Sequence, residues 1–225
     1  MREKIRWYFK LFWSIKSVGV YGGSLLDLIK RFPNEREEDD GASFARVTQK
    51  EIPELMKLHD NHCTKWNYLF SMEEAKERLS RGHRCFAVYF EGRMVGFLWA
   101  GVGKIYSKDL NFFLNMKDKS YYSSNGFVLP EFRNKRVYQR LNTYAMLEMR
   151  NEGFEGVYGI IRTINKPAIK AVVNLGLEKV GWIYCGYVLG LHVLQCHLSK
   201  NCGMRIERAI NPWHRYKRLL PKVEL

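Results

Sequence analysis

The alternation of strand and helix signals between Ser43 and Leu198 is the feature that most constrains the fold of this chain. Runs rich in branched and aromatic residues alternate there with segments whose apolar residues recur at every third or fourth position. They predict the order β-α-α-β-β-β-α-β-α-β-β, which is typical of an α/β domain built on a mixed sheet. The predicted strands are 44–47, 85–90, 93–100, 121–129, 156–161 and two strands within 180–198, and the predicted helices begin near Ile52, Met72, Val137 and Lys166.

Local signals mark the ends of these elements. Residues 48–51 and 71–74 have the spacing of a capping box, with Thr or Ser followed three residues later by Glu. Pro130 closes the long strand, because proline cannot donate to a strand ladder. Asn165 is placed to cap the last helix. These signals support the boundaries of the alternating pattern.

The charge balance indicates a partner of negative charge. Lys and Arg number 37 against 23 Asp and Glu, which gives a net charge of +14. A surface of this kind suits a nucleotide, an anionic lipid, a polyanionic glycan or a nucleic acid, although it also serves solubility. The five cysteines are an odd number without a CxxC pair, which favours a reducing compartment and a cytoplasmic protein.

The terminal segments differ from the central one. In residues 1–31 an aromatic and apolar stripe, which includes Tyr8, Phe12 and Ile15, is interleaved with basic residues. The pattern predicts a basic amphipathic helix that either lies peripherally on the anionic inner face of a membrane or packs on the domain. No apolar run is long enough for a transmembrane helix, and no signal-peptide cleavage site follows.

Three regions are predicted from this composition. Residues 1–42 form a helical extension with an acidic linker, residues 43–198 form the α/β domain, and residues 199–225 form a basic tail. The tail carries an aromatic and basic cluster over 213–218 but no nucleic-acid-binding module, so nucleic acid is not expected as a partner. The oligomeric state is left open.

The stretch from Phe127 to Tyr138 carries the strongest chemical signal. A strand ends at Pro130, a loop with basic side chains follows, and a helix begins. The first N–H groups of a helix lack intrahelical acceptors and its dipole favours an anion there, so this loop is a phosphate-binding candidate. The candidate binding residues are Phe127, Val128, Arg133, Asn134, Lys135, Arg136, Val137 and Tyr138.

The sequence resembles the GNAT family, the GCN5-related N-acetyltransferases. The family signature is a strand ending in V-x-P, a loop of type R-x-x-G-x-G/A and a helix, and here residues 128–130 and Arg133 match it. A second block also matches, with Asn165, Ala168 and the pair at 176–177. The resemblance covers about two thirds of the chain. It implies a mostly antiparallel sheet and a loop whose amides, together with Asn165, hold acetyl-CoA or another acyl-CoA.

The chain departs from the family pattern at three positions. Arg136 and Tyr138 replace the two glycines of the loop, where a close approach of backbone to phosphate favours glycine. Val172 stands where many members place a tyrosine that protonates the leaving thiolate. Another hydroxyl then serves as acid, or the proton comes from solvent or substrate. The tyrosines in suitable strands are Tyr187, Tyr184, Tyr121 and Tyr122.

The sequence contains only weak signals for the general base that would deprotonate the acceptor amine. Asp118, just before the central strand, is the candidate base, and Tyr187 is the candidate acid. Glu91 and His83 fit structural roles better. Cys and His residues near the C-terminus have no ligand spacing, so no metal is expected.

These features predict an N-acyltransferase that uses acetyl-CoA or another acyl-CoA. The resemblance implies transfer of the acyl group to a primary amine of a small molecule or a glycan precursor. The alternative is a catalytically degenerate GNAT-like binding protein at a membrane surface, which the lost glycines and the missing tyrosine favour.

Overall fold

The computed structural model describes residues 13–32, 41–62, 70–133, 135–188 and 191–209, without the side chains of residues 13 and 14. The strands are β1 Trp13–Ser24, β2 Ala42–Arg46, β3 Arg84–Phe90, β4 Arg93–Gly101, β5 Lys104–Ser107, β6 Phe112–Met116, β7 Ser120–Val128, β8 Gly156–Arg162, β9 Glu178–Val188, β10 Leu191–Leu198 and β11 Met204–Arg208. The helices are α1 Leu25–Lys30, α2 Ile52–His62, α3 Met72–Ser80, α4 Val137–Asn151 and α5 Lys166–Asn174. A short 3₁₀ turn, Pro130–Phe132, joins β7 to the loop before α4.

Eight strands form the main sheet in the order β10-β9-β1-β8-β7-β4-β3-β2. Neighbouring strands run antiparallel except β7 and β8, which are parallel. Helices contribute buried apolar residues to the larger core, which the sheet shares with α1, α2, α3 and α4. The predicted α/β class, with a mixed and mostly antiparallel sheet flanked by helices, is confirmed.

The N-terminal region differs from its prediction. Residues 13–24 form strand β1 in the interior of the sheet, between β8 and β9, so the predicted helix is wrong over these residues. The sheet of the domain therefore begins 30 residues earlier than Ser43 in the sequence. Residues 1–12 and the acidic linker at 33–40 lie outside the described residues, and the membrane helix predicted there stays a prediction.

The alternation within β1 explains why it is a strand. Val18 and Val20 are buried on one face, while Ile15 on the other face is 52% exposed. Glycines admit large rings beside the strand: a Cβ at Gly19 would lie 2.7 Å from the Tyr21 ring, and one at Gly22 would lie 2.3 Å from the Tyr158 ring. Side chains alternate between the two faces of a strand, which buries Val18 and Val20 together and leaves Ile15 on the opposite face. A helix, with its period of 3.6 residues, would not separate these side chains in this way.

A second sheet, in the order β11-β6-β5, covers one face of this part of the main sheet. Its apolar residues, which include Phe112, Leu114 and Met204, form a second core with Val18 and Ile183. The region 101–119, in which no strand is predicted from the sequence, thus contains strands β5 and β6. The tail predicted from residue 199 likewise begins with a folded strand, since β11 pairs with β6.

Among the helices in the described ranges, none has the length and apolar content needed to cross a bilayer.

Candidate functional site

A gap opens in the middle of the main sheet. Strands β7 and β8 pair only from Ser120 to Tyr122 with Gly156 to Tyr158, and both strands then continue without pairing to each other. A cavity of about 440 Å³ lies at this divergence, with residues 123–126 on one side and 159–162 on the other. The backbone edges of the two strands therefore face each other across a space large enough for an extended small molecule.

A β-bulge in β7 shapes one wall of the gap. Phe97 of β4 pairs with Phe127 and Trp99 pairs with Ser124, so three steps along β7 oppose two along β4. Asn125 at the bulge has φ of +50°. The bulge redirects the backbone beside the cavity, which is how bulges often re-aim groups at a site.

The loop before α4 has the conformation that a glycine would give it. Arg136 occupies the N-cap position with φ of +54° and ψ of 4°, in the left-handed region. Its side chain makes no capping bond, and the first turn of α4 contains no acidic residue. No side-chain cap therefore occupies the first N–H groups of α4, which is the kind of helix start that favours an anion. A left-handed conformation of this kind costs a non-glycine residue such as Arg136 ~1–2 kcal/mol.

The other loop residues divide between packing and exposure. Phe127, Val128 and Val137 are buried, so they contribute backbone and packing rather than exposed side chains. Arg133 is exposed, and its Nε donates to the Val128 carbonyl oxygen at 3.0 Å. Lys135 is exposed, with its Nζ 5.7 Å from the Phe132 ring centroid. Asn134 lies outside the described residues.

Tyr138 lies against the bulge. A Cβ added at Gly126 would be 2.8 Å from Cε2 and 2.9 Å from the hydroxyl oxygen of Tyr138, so the ring covers Gly126. Burial raises the pKa of Tyr138, and the ring lines the cavity. The side chain that replaces the second loop glycine therefore occupies space between α4 and β7 at the edge of the gap.

A charged network lines the far wall of the cavity. The Arg78 guanidinium donates to Glu74 at 3.1 Å and to Asn125 at 3.2 Å, and it lies 5.1 Å from the Trp99 ring centroid. Lys108 also donates to Glu74. Burial alone would raise the pKa of Glu74, but the bond from Lys108 and the nearby cations hold it below its usual value. Glu74 is therefore ionised at neutral pH.

His83 is a neutral donor at the same cavity. Burial, together with the positive charges of Arg78, Arg81 and Arg84, lowers the pKa of His83 to about 4. Its Nδ1 accepts from the Val102 N–H at 3.0 Å, so the ring proton resides on Nε2. His83 therefore presents an N–H rather than a lone pair to the remaining side.

The low pKa of His83 makes folding stability depend on pH in a defined window. In the unfolded chain the ring protonates as pH falls through 6.5, whereas in the folded chain it stays neutral to about 4. The contribution is thus complete above pH 6.5 and is lost as pH falls from 6.5 to 4. We expect His83→Asn, which keeps an acceptor for Val102, to reduce the drop in urea midpoint between pH 7 and pH 5. An equal drop in both proteins would contradict this assignment.

The structure places the two predicted catalytic residues away from the cavity. Asp118 is exposed in the turn between β6 and β7. Tyr187 is buried in β9, and its hydroxyl accepts from the Asn111 amide at 3.0 Å. Tyr122, one of the alternative tyrosines predicted as acids, lines the cavity at the point where β7 and β8 stop pairing. Burial raises the pKa of Tyr122, so the hydroxyl keeps its proton at neutral pH.

The second block of the sequence pattern lies at the same cavity. Asn165 caps α5, with its side-chain oxygen accepting from the Ala168 N–H at 3.4 Å. Both residues line the cavity, and so does Val172 one turn further along α5. Of the described residues from Phe127 to Tyr138, only Tyr138 lines this cavity, and it does so together with Asn165 and Ala168 of the second block. Within the described ranges, no group of three metal-ligating side chains is found.

Comparisons with known proteins support the fold. No protein-family model and no curated protein matches the sequence. A functionally unknown conserved protein from Staphylococcus epidermidis is 16% identical, with a TM-score of 0.52 over 86% of this chain and 66% of that one. A putative acetyltransferase of the GNAT family from Novosphingobium aromaticivorans is 15% identical, with a TM-score of 0.51 over 76% of this chain and 63% of that one.

A third similar structure is AAC(6')-Iy bound to the bisubstrate analogue CoA-S-monomethyl-acetylneamine. It is 18% identical, with a TM-score of 0.50 over 61% of this chain and 91% of that one. The chain spans slightly less than two thirds of the length of the first two structures. At these identities the likeness concerns the fold, and the chain has a GNAT-like fold.

Proposed function

We propose that this chain is an N-acyltransferase that transfers an acyl group from acetyl-CoA, or another acyl-CoA, to a primary amine of a small molecule or glycan precursor. The observation that carries the proposal is the convergence of the β7–β8 gap with the N-terminus of α4. The resemblance to GNAT acetyltransferases supports it, as does the CoA-containing analogue held by one structure of similar fold.

The loop before α4 fits a pyrophosphate. The Arg136 turn leaves the first N–H groups of α4 uncapped by a side chain, and Arg133, Lys135 and Arg136 add positive charge around them. Asn165 and the edge of β8 would border the remainder of the co-substrate. An acyl-CoA supplies a thioester, whose carbonyl becomes negatively charged when an amine attacks it.

The chain's own groups would act on that reaction in three ways. Backbone N–H groups along β7 beyond Tyr122 would stabilise the developing oxyanion. The Tyr122 hydroxyl, protonated at neutral pH, would donate a proton to the departing thiolate, because Val172 has no hydroxyl that could do so. Glu74, ionised and held by Lys108 and Arg78, would orient the acceptor amine; its low pKa makes it a weak base, so water removes the amine proton.

The decisive experiment is a titration followed by a turnover assay. Isothermal titration calorimetry with acetyl-CoA is expected to show saturable binding, and release of free thiol is expected to require an added primary amine. Absence of binding by acetyl-CoA and by longer acyl-CoAs at high micromolar concentration would overturn the proposal. Binding without turnover on a broad panel of amines would instead favour the degenerate binding protein.

The second candidate function, a degenerate binding protein, rests on Tyr138. Its ring covers Gly126 inside the gap, and Val172 provides no hydroxyl. A chain that has abandoned CoA would use the ring as core packing. Single and double variants at Gly126 and Tyr138 distinguish this candidate function from the first.

Salt dependence tests the phosphate contacts of the loop. We expect Lys135→Ala and Arg133→Ala each to weaken CoA binding about threefold to tenfold at low ionic strength, with a smaller effect at high salt, because screening removes exposed charge interactions. Lys57→Ala serves as a control, since Lys57 is an exposed cation on α2 that does not line the cavity. Unchanged affinity in both loop variants at low salt would place the phosphate site elsewhere.

A further inference from the structure

An exposed apolar patch lies on the main sheet beyond α5. Eight large apolar side chains in the described ranges are strongly exposed, and five of them belong to this end of the sheet. They are Ile15 (52% exposed), Ile164 (60%), Tyr184 (44%), Leu191 (73%) and Val193 (40%). Since scattered single exposures need no explanation, the concentration of five at one end is the significant observation.

Strand registers place four of these residues on one face. Ile15 and Val193 both pair with Gly186, one from each side, so the three residues form a row across β1, β9 and β10. Leu191 and Tyr184 lie two residues from this row, along β10 and β9, and therefore share its face. Gly186 has no side chain, which leaves the row shallow at its centre.

Ile164 and an aromatic cluster border the row. Ile164 follows Thr163, whose N–H donates to the Ser17 carbonyl at 3.0 Å, and this holds the turn into α5 beside β1. Trp182 packs against Tyr184 with ring centroids 5.0 Å apart and stacks on His197 at 6.1 Å. Indole and phenol rings favour a boundary that is apolar on one side and wet on the other.

Basic residues outnumber acidic ones at this end of the sheet. Segments 13–24 and 156–198 contain one acid, Glu178, which begins β9 eight residues away from Gly186, against five cations: Lys16, Arg162, Lys166, Lys170 and Lys179. Lys16 is paired with Asp109, but Lys166 and Lys170 are exposed on α5. An apolar patch next to an excess of positive charge is complementary to a surface that is apolar inside and anionic outside.

The same charge argues against two other occupants. A second copy of the chain would bring this basic surface against its own equivalent, with one carboxylate from these segments, Glu178, against five cations. Residues 1–12, which precede β1 in the sequence, contain four cations and one acid, so they too would bring positive charge to a positive surface. Their aromatic and basic composition instead matches the partner that the patch itself favours.

We propose that the face formed by Ile15, Ile164, Tyr184, Leu191 and Val193 docks on an anionic lipid bilayer. The apolar side chains enter the boundary between headgroups and acyl chains, and the α5 lysines lie among the anionic headgroups. Because Arg162 and Asn165 line the cavity and flank Ile164 in the sequence, docking brings one rim of the cavity close to the lipid surface. The proposal stands independently of the acyltransferase activity, since it rests on the outer face of the sheet.

Vesicle flotation of the full chain tests it. We expect binding to vesicles of phosphatidylcholine with phosphatidylglycerol, weaker binding to phosphatidylcholine alone, and a decrease with salt. Leu191→Asp and Val193→Asp are each expected to reduce binding at least about tenfold, because each replaces an inserted apolar side chain with a charge. Leu26→Asp, at a 41% exposed position on α1 with the same change in charge, is expected to stay within about twofold.

Several outcomes would overturn the proposal. These are failure of the wild-type chain to float with anionic vesicles, equal binding of the patch variants, or equal binding to vesicles with and without phosphatidylglycerol. If light scattering shows a dimer that Leu191→Asp dissociates, the face binds a second copy. If Leu191→Asp lowers the melting temperature as a core substitution does, while Leu26→Asp does not, the chain's own segment covers the face. CoA titration of the same variants reports the cavity separately.

Discussion

A chain that lacks residues 1–24 is expected not to fold. Strand β1 pairs with β8 on one side and with β9 on the other, so its loss leaves two strand edges open in the interior of the sheet. It also removes Val18, Val20 and Tyr21 from the two cores. Full burial of each such side chain contributes roughly 1.5–3 kcal/mol. The lost burial energy and the loss of two hydrogen-bonded strand pairings are together comparable with the total free energy of unfolding of a typical domain, ~5–15 kcal/mol.

Two point variants of the same strand provide the comparison. Val20→Asp, at a fully buried position, is expected to cost at least ~4 kcal/mol because the carboxylate has no partner there. Ile15→Asp, at a half-exposed position, is expected to change stability by less than ~1 kcal/mol. Urea unfolding followed by circular dichroism measures both. A soluble, cooperatively unfolding chain without residues 1–24 would contradict the position of β1.

Gly126→Val is expected to close the gap between β7 and β8. A Cβ at Gly126 would already meet Tyr138 at 2.8 Å and Leu98 at 3.1 Å, so the valine pushes the Tyr138 ring toward the cavity. Overpacking of this kind costs ~1–3 kcal/mol. If acyl-CoA binds in the gap, affinity falls by at least about tenfold, which corresponds to ~1.4 kcal/mol. Calorimetric titration with acetyl-CoA and a urea midpoint measure the two effects.

The double variant Gly126→Val with Tyr138→Ala distinguishes the two candidate functions. Removal of the ring relieves the clash, so the double variant is expected to recover CoA affinity, with an interaction energy of about 0.5–3 kcal/mol between the sites. Tyr138→Ala alone is expected to keep or improve CoA binding while costing ~2–3 kcal/mol of stability. If Tyr138→Ala is severely destabilised and binds no CoA, the ring is core packing and the acyltransferase proposal fails.

Most of the fold between Ser43 and Leu198 was predictable because its signals are local. Capping boxes, a hairpin turn and Pro130 each fix the end of an element within a few residues. Helix α1 was predictable for the same reason, since a run of leucines follows Ser24. The order of the elements then implied the mixed sheet.

Strand β1 was not predictable by the same means. The apolar residues at positions 5–15, which overlap only the start of β1, fit a helical stripe in the sequence, and the alternation that identifies a strand begins only at Ser17. What decides its conformation is the free edge between β8 and β9, which are more than 130 residues later in the sequence. Strand β11 was missed for a related reason, because Met204 pairs with Met116, 88 residues earlier. Strands β5 and β6 were missed although they form a local hairpin, in which Ser107 pairs with Phe112.

The site shows the same division between local and tertiary information. The loop at the start of α4 could be placed from its sequence, whereas the gap next to it depends on where β7 and β8 stop pairing in the folded sheet. The left-handed turn at Arg136 was hidden, since a sequence without glycine gives no sign of positive φ. Candidate acids and bases were the least predictable. Tyr122 lines the cavity and Asp118 and Tyr187 do not, but the residues around each of them in the sequence give no sign of this difference.

The position of β1 also has a consequence for how the chain is made. Strand β1 is synthesised before the other strands of its sheet, yet Val18 pairs with Arg162 and Ile183, which follow it by 144 and 165 residues. Contacts of such long sequence separation form slowly, since a long loop must close before they can form. Strand β1 therefore lacks its two partner strands until β8 and β9 have been synthesised. During that time the cell must keep an aromatic strand from aggregating, and completion of the sheet is expected to be a late step of folding.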